Sequence, residues 1–159
     1  MSAAINQAEL NQRVAILKRF KALLERQRDR FQNYLSLLES QEVVIGSGSG
    51  EQIIAYVEFE EQVVADIFSI QRVINPLEEM YRAVISRSFA DDEIPALKTS
   101  LEDLKAQVQC QSARNRELLS ARMAEIRTKM DVLKSSPFAK SMRSVYGAAA
   151  APSLVDVRG

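Results

Sequence analysis

The sequence predicts an all-α fold, in which long antiparallel helices form a coiled-coil-like three-helix bundle with a flexible C-terminal tail. The first observation is the most apolar stretch, residues 51–85. Its periodicity is helical, and its apolar sector covers roughly two thirds of the circumference, against the ~100° stripe of an ordinary surface helix. Such a helix needs packing partners on two sides. The second observation is that the segments before and after it carry apolar residues at helical spacing, so the chain itself supplies both partners.

The predicted boundaries follow the breaks in these patterns. One bundle domain covers residues 1–137 and a C-terminal docking tail covers residues 138–159. The predicted helices are about 6–44, 50–87 and 95–135.

The first helix is predicted to begin after Asn6, because Glu9 three residues later completes a capping box. A seven-residue repeat follows, formed by Leu10, Leu17, Leu24, Phe31 and Leu38. The alternate heptad position holds Val14 and Leu35 but is interrupted by Lys21 and Arg28. The broken heptads leave two interpretations open, packing within one chain or a weak homodimer.

The glycine-rich residues 46–50 are predicted to form a flexible turn between antiparallel helices. They lack the lysine and the serine or threonine of a phosphate-binding P-loop. Ser49, with Gln52 three residues on, is predicted to cap the central helix.

Two features of the central helix need a choice. Pro76 has no N–H to donate, but the apolar face stays in phase on both sides of it, so we expect a kink near Pro76 rather than an end. Glu60 and Gln71 fall inside the apolar sector. We expect them at its solvated edge, rather than as polar groups that fix the register.

The third helix is predicted to follow a loop at residues 89–94, with Pro95 in its first turn. Its apolar residues are Leu97, Leu101, Leu104 and Val108, and after a polar patch they resume as Leu119, Met123, Ile126, Met130 and Leu133. From Val108 to Leu119 is eleven residues, so the register slips at the patch. Residues 135–137, Ser-Ser-Pro, are predicted to end the helix.

Composition excludes several classes of function. Basic and acidic residues balance at 21 each, so no nucleic-acid-binding surface is expected. The chain has no histidine, and the only cysteine, Cys110, is expected to be an unreactive thiol. No catalytic set, metal site or cofactor site is therefore predicted, and the protein is expected not to be an enzyme. Without a membrane-spanning run or a signal core, it is expected to be soluble and cytoplasmic, with no stable membrane insertion.

One set of residues resembles a known family. Asn115 is followed by Leu118 and Leu119, and a Tyr146-Gly147 pair stands near the C-terminus. Together with the leucine-heptad helix and the long central helix, this order resembles the FlgN family of flagellar export chaperones. Where that family often has another glycine soon after Tyr-Gly, this chain has alanines 148–151.

The resemblance implies a cytoplasmic, all-helical, non-enzymatic chaperone. It would bind the C-terminal helical segments of the hook-associated proteins FlgK and FlgL. It would deliver them to the type III export gate protein FlhA, with Tyr146 at the docking position. We expect the partner-binding residues to be Leu119, Met123, Ile126, Met130, Leu133, Phe138, Tyr146 and Gly147. The alternatives are that the third-helix residues only pack against the other helices, and that the chain is a structural coiled-coil or adaptor protein acting by self-association.

Overall fold

The computed structural model describes residues 6–85, 93–137 and 141. Within these residues the chain forms three α-helices and no strand: α1 (Gln7–Ser47), α2 (Gly50–Ile85) and α3 (Glu93–Ser135). The predicted all-α class is confirmed. The predicted tail, residues 138–159, lies outside the described residues except for Ser141.

Among the described helices, none combines the length and the apolar character that crossing a bilayer requires.

Packing divides the chain into two units, Met1–Leu118 and Leu119–Gly159. The sequence pattern extends the bundle to residue 137, whereas the last buried residue of α3 is Asn115. The packed core therefore belongs to the first unit.

The first unit has a single apolar core to which all three helices contribute. Phe20 is fully buried, and its ring centroid lies 4.9 Å from that of Tyr81 on α2. The ammonium of Lys98, on α3, stands 5.6 Å from the Phe20 centroid. The remaining buried core residues are Leu24, Phe31 and Leu38 of α1, Ile70 and Ile74 of α2, and Ile94, Leu97, Leu101, Leu104 and Val108 of α3. The prediction that Ile94 belongs to a loop is wrong, since it lies in the first turn of α3.

The heptad row of α1 is confirmed, but its alternate row is not the predicted one. Leu24, Phe31 and Leu38 are buried as expected. Of the predicted alternate row, Val14 is 40% exposed and Leu35 packs only partly buried against the core, whereas Phe20 is 0% exposed. The buried alternate row runs through Phe20, Gln27, Tyr34 and Gln41, on the other side of the leucine row; of these, Tyr34 is half-buried. Because two of its four residues are glutamines, this row does not form an apolar pattern in the sequence.

The turn between α1 and α2 is shorter than predicted, because α1 continues to Ser47. Gly48 follows, and its N–H donates to the Val44 carbonyl at 2.7 Å. A Cβ at Gly48 would lie 2.6 Å from that oxygen, so the close approach requires glycine. The predicted cap of α2 is confirmed: Gln52 N donates to Ser49 Oγ, and Ser49 N donates to Gln52 Oε1. Asn6 likewise caps α1 through Ala8 N.

The central helix continues through Pro76 without ending, as the in-phase apolar face predicts. Glu60 and Gln71 are partly buried, which agrees with a position at the edge of the apolar sector, but they also form hydrogen bonds to α1 that the prediction did not include. The Glu60 carboxylate accepts from Tyr34 Oη at 2.7 Å and from Gln41 Nε2 at 3.2 Å. Gln71 Oε1 accepts from Gln27 Nε2 at 3.3 Å. Both residues therefore join α2 to polar groups on α1 and help to fix the register of the two helices.

Candidate functional site

The predicted partner-binding residues on the last part of α3 form an exposed apolar row. We call Leu119, Met123, Ile126, Met130 and Leu133 the α3 stripe. Leu119 is half-buried, and the other four residues range from 45% to 66% exposed. Four of the five side chains of the α3 stripe are thus largely exposed among the described residues.

The part of α3 that carries the α3 stripe, from Leu119 to Ser135, has no buried side chain among the described residues. Most helical stability in proteins comes from packing an apolar face rather than from helix propensity. An apolar row at helical spacing that is largely exposed is a surface that a second helix would stabilise.

The charged residues beside the α3 stripe form local ion pairs. Glu125 accepts from Lys129 Nζ at 2.8 Å and lies 4.0 Å from Arg122. The hydrogen bond from Lys129 holds the pKa of the Glu125 carboxyl below its usual range. The Glu125 carboxylate therefore balances part of the positive charge on this side of the helix.

A second apolar surface lies in the first unit, where a groove of about 640 Å³ opens between the helices. Its apolar lining includes Phe31, Ile67 and Val108, one from each helix. Phe68 borders it and is 64% exposed. Lys105 also lines it, with its ammonium 5.8 Å from the Phe31 ring centroid. The volume of the groove is within the range of ordinary ligand-binding clefts, about 300–1,000 Å³.

Sequence analysis did not identify this groove, although one signal for it was present. The apolar sector of α2 is wider than two neighbouring helices can cover. Phe59 and Phe68 are both more than half exposed as a result. An excess of apolar surface on the central helix thus marks uncovered surface as well as core.

A cluster of hydrogen-bonded polar side chains lies at the C-terminal end of the buried part of α3. Asn115 Nδ2 donates to the Leu38 carbonyl at 2.8 Å and to Gln41 Oε1 at 2.9 Å. Gln111 Nε2 donates to Asn115 Oδ1 at 3.0 Å and to Glu42 Oε2 at 2.6 Å. Asn115, part of the motif that carries the family resemblance, is therefore a buried structural residue.

Tyr34 belongs to the same polar region of the first unit. Burial raises the pKa of the Tyr34 phenol, and its hydrogen bond to the Glu60 carboxylate raises it further. The phenol is thus held protonated as a hydrogen-bond donor, which is a structural role.

The potential metal ligands among the described residues do not cluster. In residues 6–85 and 93–137 no three histidine, cysteine, aspartate or glutamate side chains come together as a metal site would require. Cys110 is an exposed free thiol. Of the other predicted partner-binding residues, Phe138, Tyr146 and Gly147 lie outside the described residues.

Comparison with known proteins places the chain in a family. An uncharacterized protein of Treponema pallidum (strain Nichols) is 32% identical to it over 134 residues, which make up 84% of this chain and 85% of the Treponema protein. The chain belongs to the same family as that protein. No protein-family model and no solved structure matches the chain. The family relationship spans most of both chains, so it is not confined to one motif.

Proposed function

We propose that this chain is a cytoplasmic flagellar export chaperone of the FlgN type, which binds the C-terminal helices of the hook-associated proteins FlgK and FlgL. The observation that carries the proposal is the exposed α3 stripe. A row of four apolar side chains, each 45% to 66% exposed, is what a helix-binding protein presents before its client arrives.

The physical task of such a chaperone is to cover an apolar helix face. Each Å² of apolar surface removed from water contributes about 25 cal/mol to the free energy of binding. A helix bound along the α3 stripe would remove apolar surface from water both on the stripe and on the helix itself. Met123 and Met130 have flexible, polarisable side chains that adapt to different partners. This property suits a surface that receives two related clients.

We assign the delivery of the client to the export gate to the C-terminal segment of the chain. In this proposal Tyr146 and Gly147 dock on the export gate protein FlhA, and Phe138 extends the client-binding surface. Replacing Tyr146 with alanine is expected to leave client binding intact and to abolish delivery, measured as loss of motility.

Isothermal titration calorimetry with the C-terminal segments of FlgK and FlgL tests client binding. Met123→Glu with Met130→Glu places charges in the α3 stripe and is expected to weaken binding by at least about 100-fold, since two buried apolar contacts are lost. Ala121→Glu with Thr128→Glu is the matched control, because both residues are exposed on the other side of the same helix. If wild-type protein binds neither segment, the chaperone proposal is wrong.

A self-associating coiled-coil or adaptor protein would also present an exposed apolar row. Sedimentation of the wild-type protein separates this alternative from the chaperone. A stable dimer that Met123→Glu and Met130→Glu dissociate, combined with no binding of FlgK or FlgL, would favour the adaptor.

A further inference from the structure

The charged residues at the two heptad positions that directly flank the α3 stripe all have one sign. In heptad terms Leu119, Ile126 and Leu133 occupy one core position, and Met123 and Met130 occupy the other. The charged residues at the two flanking positions are then Arg122 and Lys129 on one side, and Arg127 and Lys134 on the other. We call these four residues the basic flanks.

This pattern opposes pairing between two copies of the chain. In a parallel pair of helices, a residue on one flank faces the opposite flank of the partner five residues later. Arg122 would then face Arg127 of the second copy, and Lys129 would face Lys134. In an antiparallel pair each flank meets its own equivalent, so basic residues again face basic residues. Either orientation places like charges across the apolar contact.

The two flanks differ in how far their charge is already neutralised. Glu125 lies 2.8 Å from Lys129 and 4.0 Å from Arg122, so it offsets the first flank from within the helix. Arg127 and Lys134 make no ion pair within the residues that the structure describes. The second flank therefore has the greater capacity to attract acidic groups of a partner.

We propose that the α3 stripe binds an amphipathic helix whose apolar row is bordered by aspartate or glutamate, and that the basic flanks select this partner over a second copy of the chain. The inference rests on the proposed function to the extent that the acidic-bordered helix belongs to the client. The apolar row supplies most of the affinity, and the flanks supply the choice of partner and its dependence on salt.

Two synthetic helical peptides test the charge preference directly. Both are about three heptads long with leucine at the core positions, and they differ only in carrying glutamate or lysine at the flanking positions. Fluorescence anisotropy with the full-length chain is expected to show binding of the glutamate peptide at least about tenfold tighter than that of the lysine peptide. The difference should shrink as ionic strength rises.

Charge reversal on the second flank provides a sharper test. Arg127→Glu with Lys134→Glu should reduce or invert the preference for the glutamate peptide. It should also increase self-association in sedimentation experiments, since Arg122 and Lys129 of one copy would then face glutamates of the other in a parallel pair. The matched control is Arg19→Glu with Arg26→Glu, because these exposed residues of α1 have the same spacing and give the same change in net charge. The control should behave as the wild type does.

The outcomes separate this inference from the proposed function. Equal binding of the two peptides, binding of neither, or a charge-reversed protein with unchanged preference would overturn the inference, even if FlgK or FlgL segments bind elsewhere. Preferential binding of the glutamate peptide, with no binding of FlgK or FlgL, would uphold the inference and reject those clients.

Discussion

The buried amide of Asn115 allows a prediction whose size follows from the structure. Its side chain donates to the Leu38 carbonyl and to Gln41 Oε1, and accepts from Gln111 Nε2. Leu38 O is also placed to accept the ordinary helical hydrogen bond of α1, and Gln111 keeps Glu42 as a second acceptor. Removing the Asn115 amide therefore leaves Gln41 Oε1 as the main unpaired buried atom.

Asn115→Ala is expected to lower the free energy of unfolding by roughly 2–4 kcal/mol. Three hydrogen bonds contribute about 0.5–1.5 kcal/mol each, and an unpaired buried acceptor costs about 1–3 kcal/mol, with partial relaxation reducing the sum. Urea unfolding followed by circular dichroism measures the change. Asn11→Ala, at an exposed position of α1, is the matched control and should change the stability by less than about 0.5 kcal/mol.

A double-mutant cycle identifies the cause. Adding Gln41→Leu to Asn115→Ala removes the unpaired acceptor, so the double variant should lose at least about 1 kcal/mol less than the two single variants together. If Asn115→Ala is as stable as the wild type, or if the two changes are additive, then the amide does not contribute as the structure indicates.

Three further predictions concern the first unit. Gln27→Met should change the free energy of unfolding by less than about 1 kcal/mol in urea titrations, because it removes the buried Gln27 Oε1, which has no hydrogen-bond partner among the described residues, but also the two long hydrogen bonds from Gln27 Nε2 to Ile67 O and Gln71 Oε1; a loss of more than about 3 kcal/mol would contradict this. Gly48→Ala should lower the melting temperature, at a cost of about 1–3 kcal/mol, because the added Cβ would press on the Val44 carbonyl; an unchanged melting temperature would show that the turn relaxes freely. Burial and the Glu60 hydrogen bond raise the pKa of Tyr34, so its contribution to stability is present below about pH 10 and is lost as the pH rises through the folded pKa. Tyr34→Phe should flatten that alkaline loss in pH-dependent unfolding, and an identical pH profile would refute the assignment.

The helices could be predicted because the signals for them are local. Capping residues such as Asn6 and Ser49 act within one turn, and the apolar period of each helix is visible along the chain. The end of α3 at Ser135 was likewise set by the proline that follows soon after it.

The detailed packing of α1 could not be predicted from its apolar pattern. The buried row of Phe20 and Tyr34 is completed by Gln27 and Gln41, whose side-chain N–H groups donate to acceptors on α2. Glutamine is usually a surface residue, so the apolar pattern alone favours the row of Val14 and Leu35. Long-range hydrogen bonds decide which side of a helix is buried, and they leave no local trace in the sequence.

The candidate site was predicted in part. The positions of Met123, Ile126, Met130 and Leu133 follow from periodicity, but their exposure depends on where the buried part of α3 ends. The groove beside Phe68 depends on side chains from all three helices, so no single stretch of sequence defines it.

Hydrogen–deuterium exchange with a bound client tests the central claim most directly. Without a client, the backbone amides of residues 119–135 should exchange faster than those of residues 20–38, because residues 119–135 include no buried side chain. Adding the C-terminal segment of FlgK or FlgL is predicted to slow exchange in residues 119–135 more than anywhere else among the described residues. A bound client that leaves exchange in residues 119–135 unchanged would show that the α3 stripe is not the surface that shelters it.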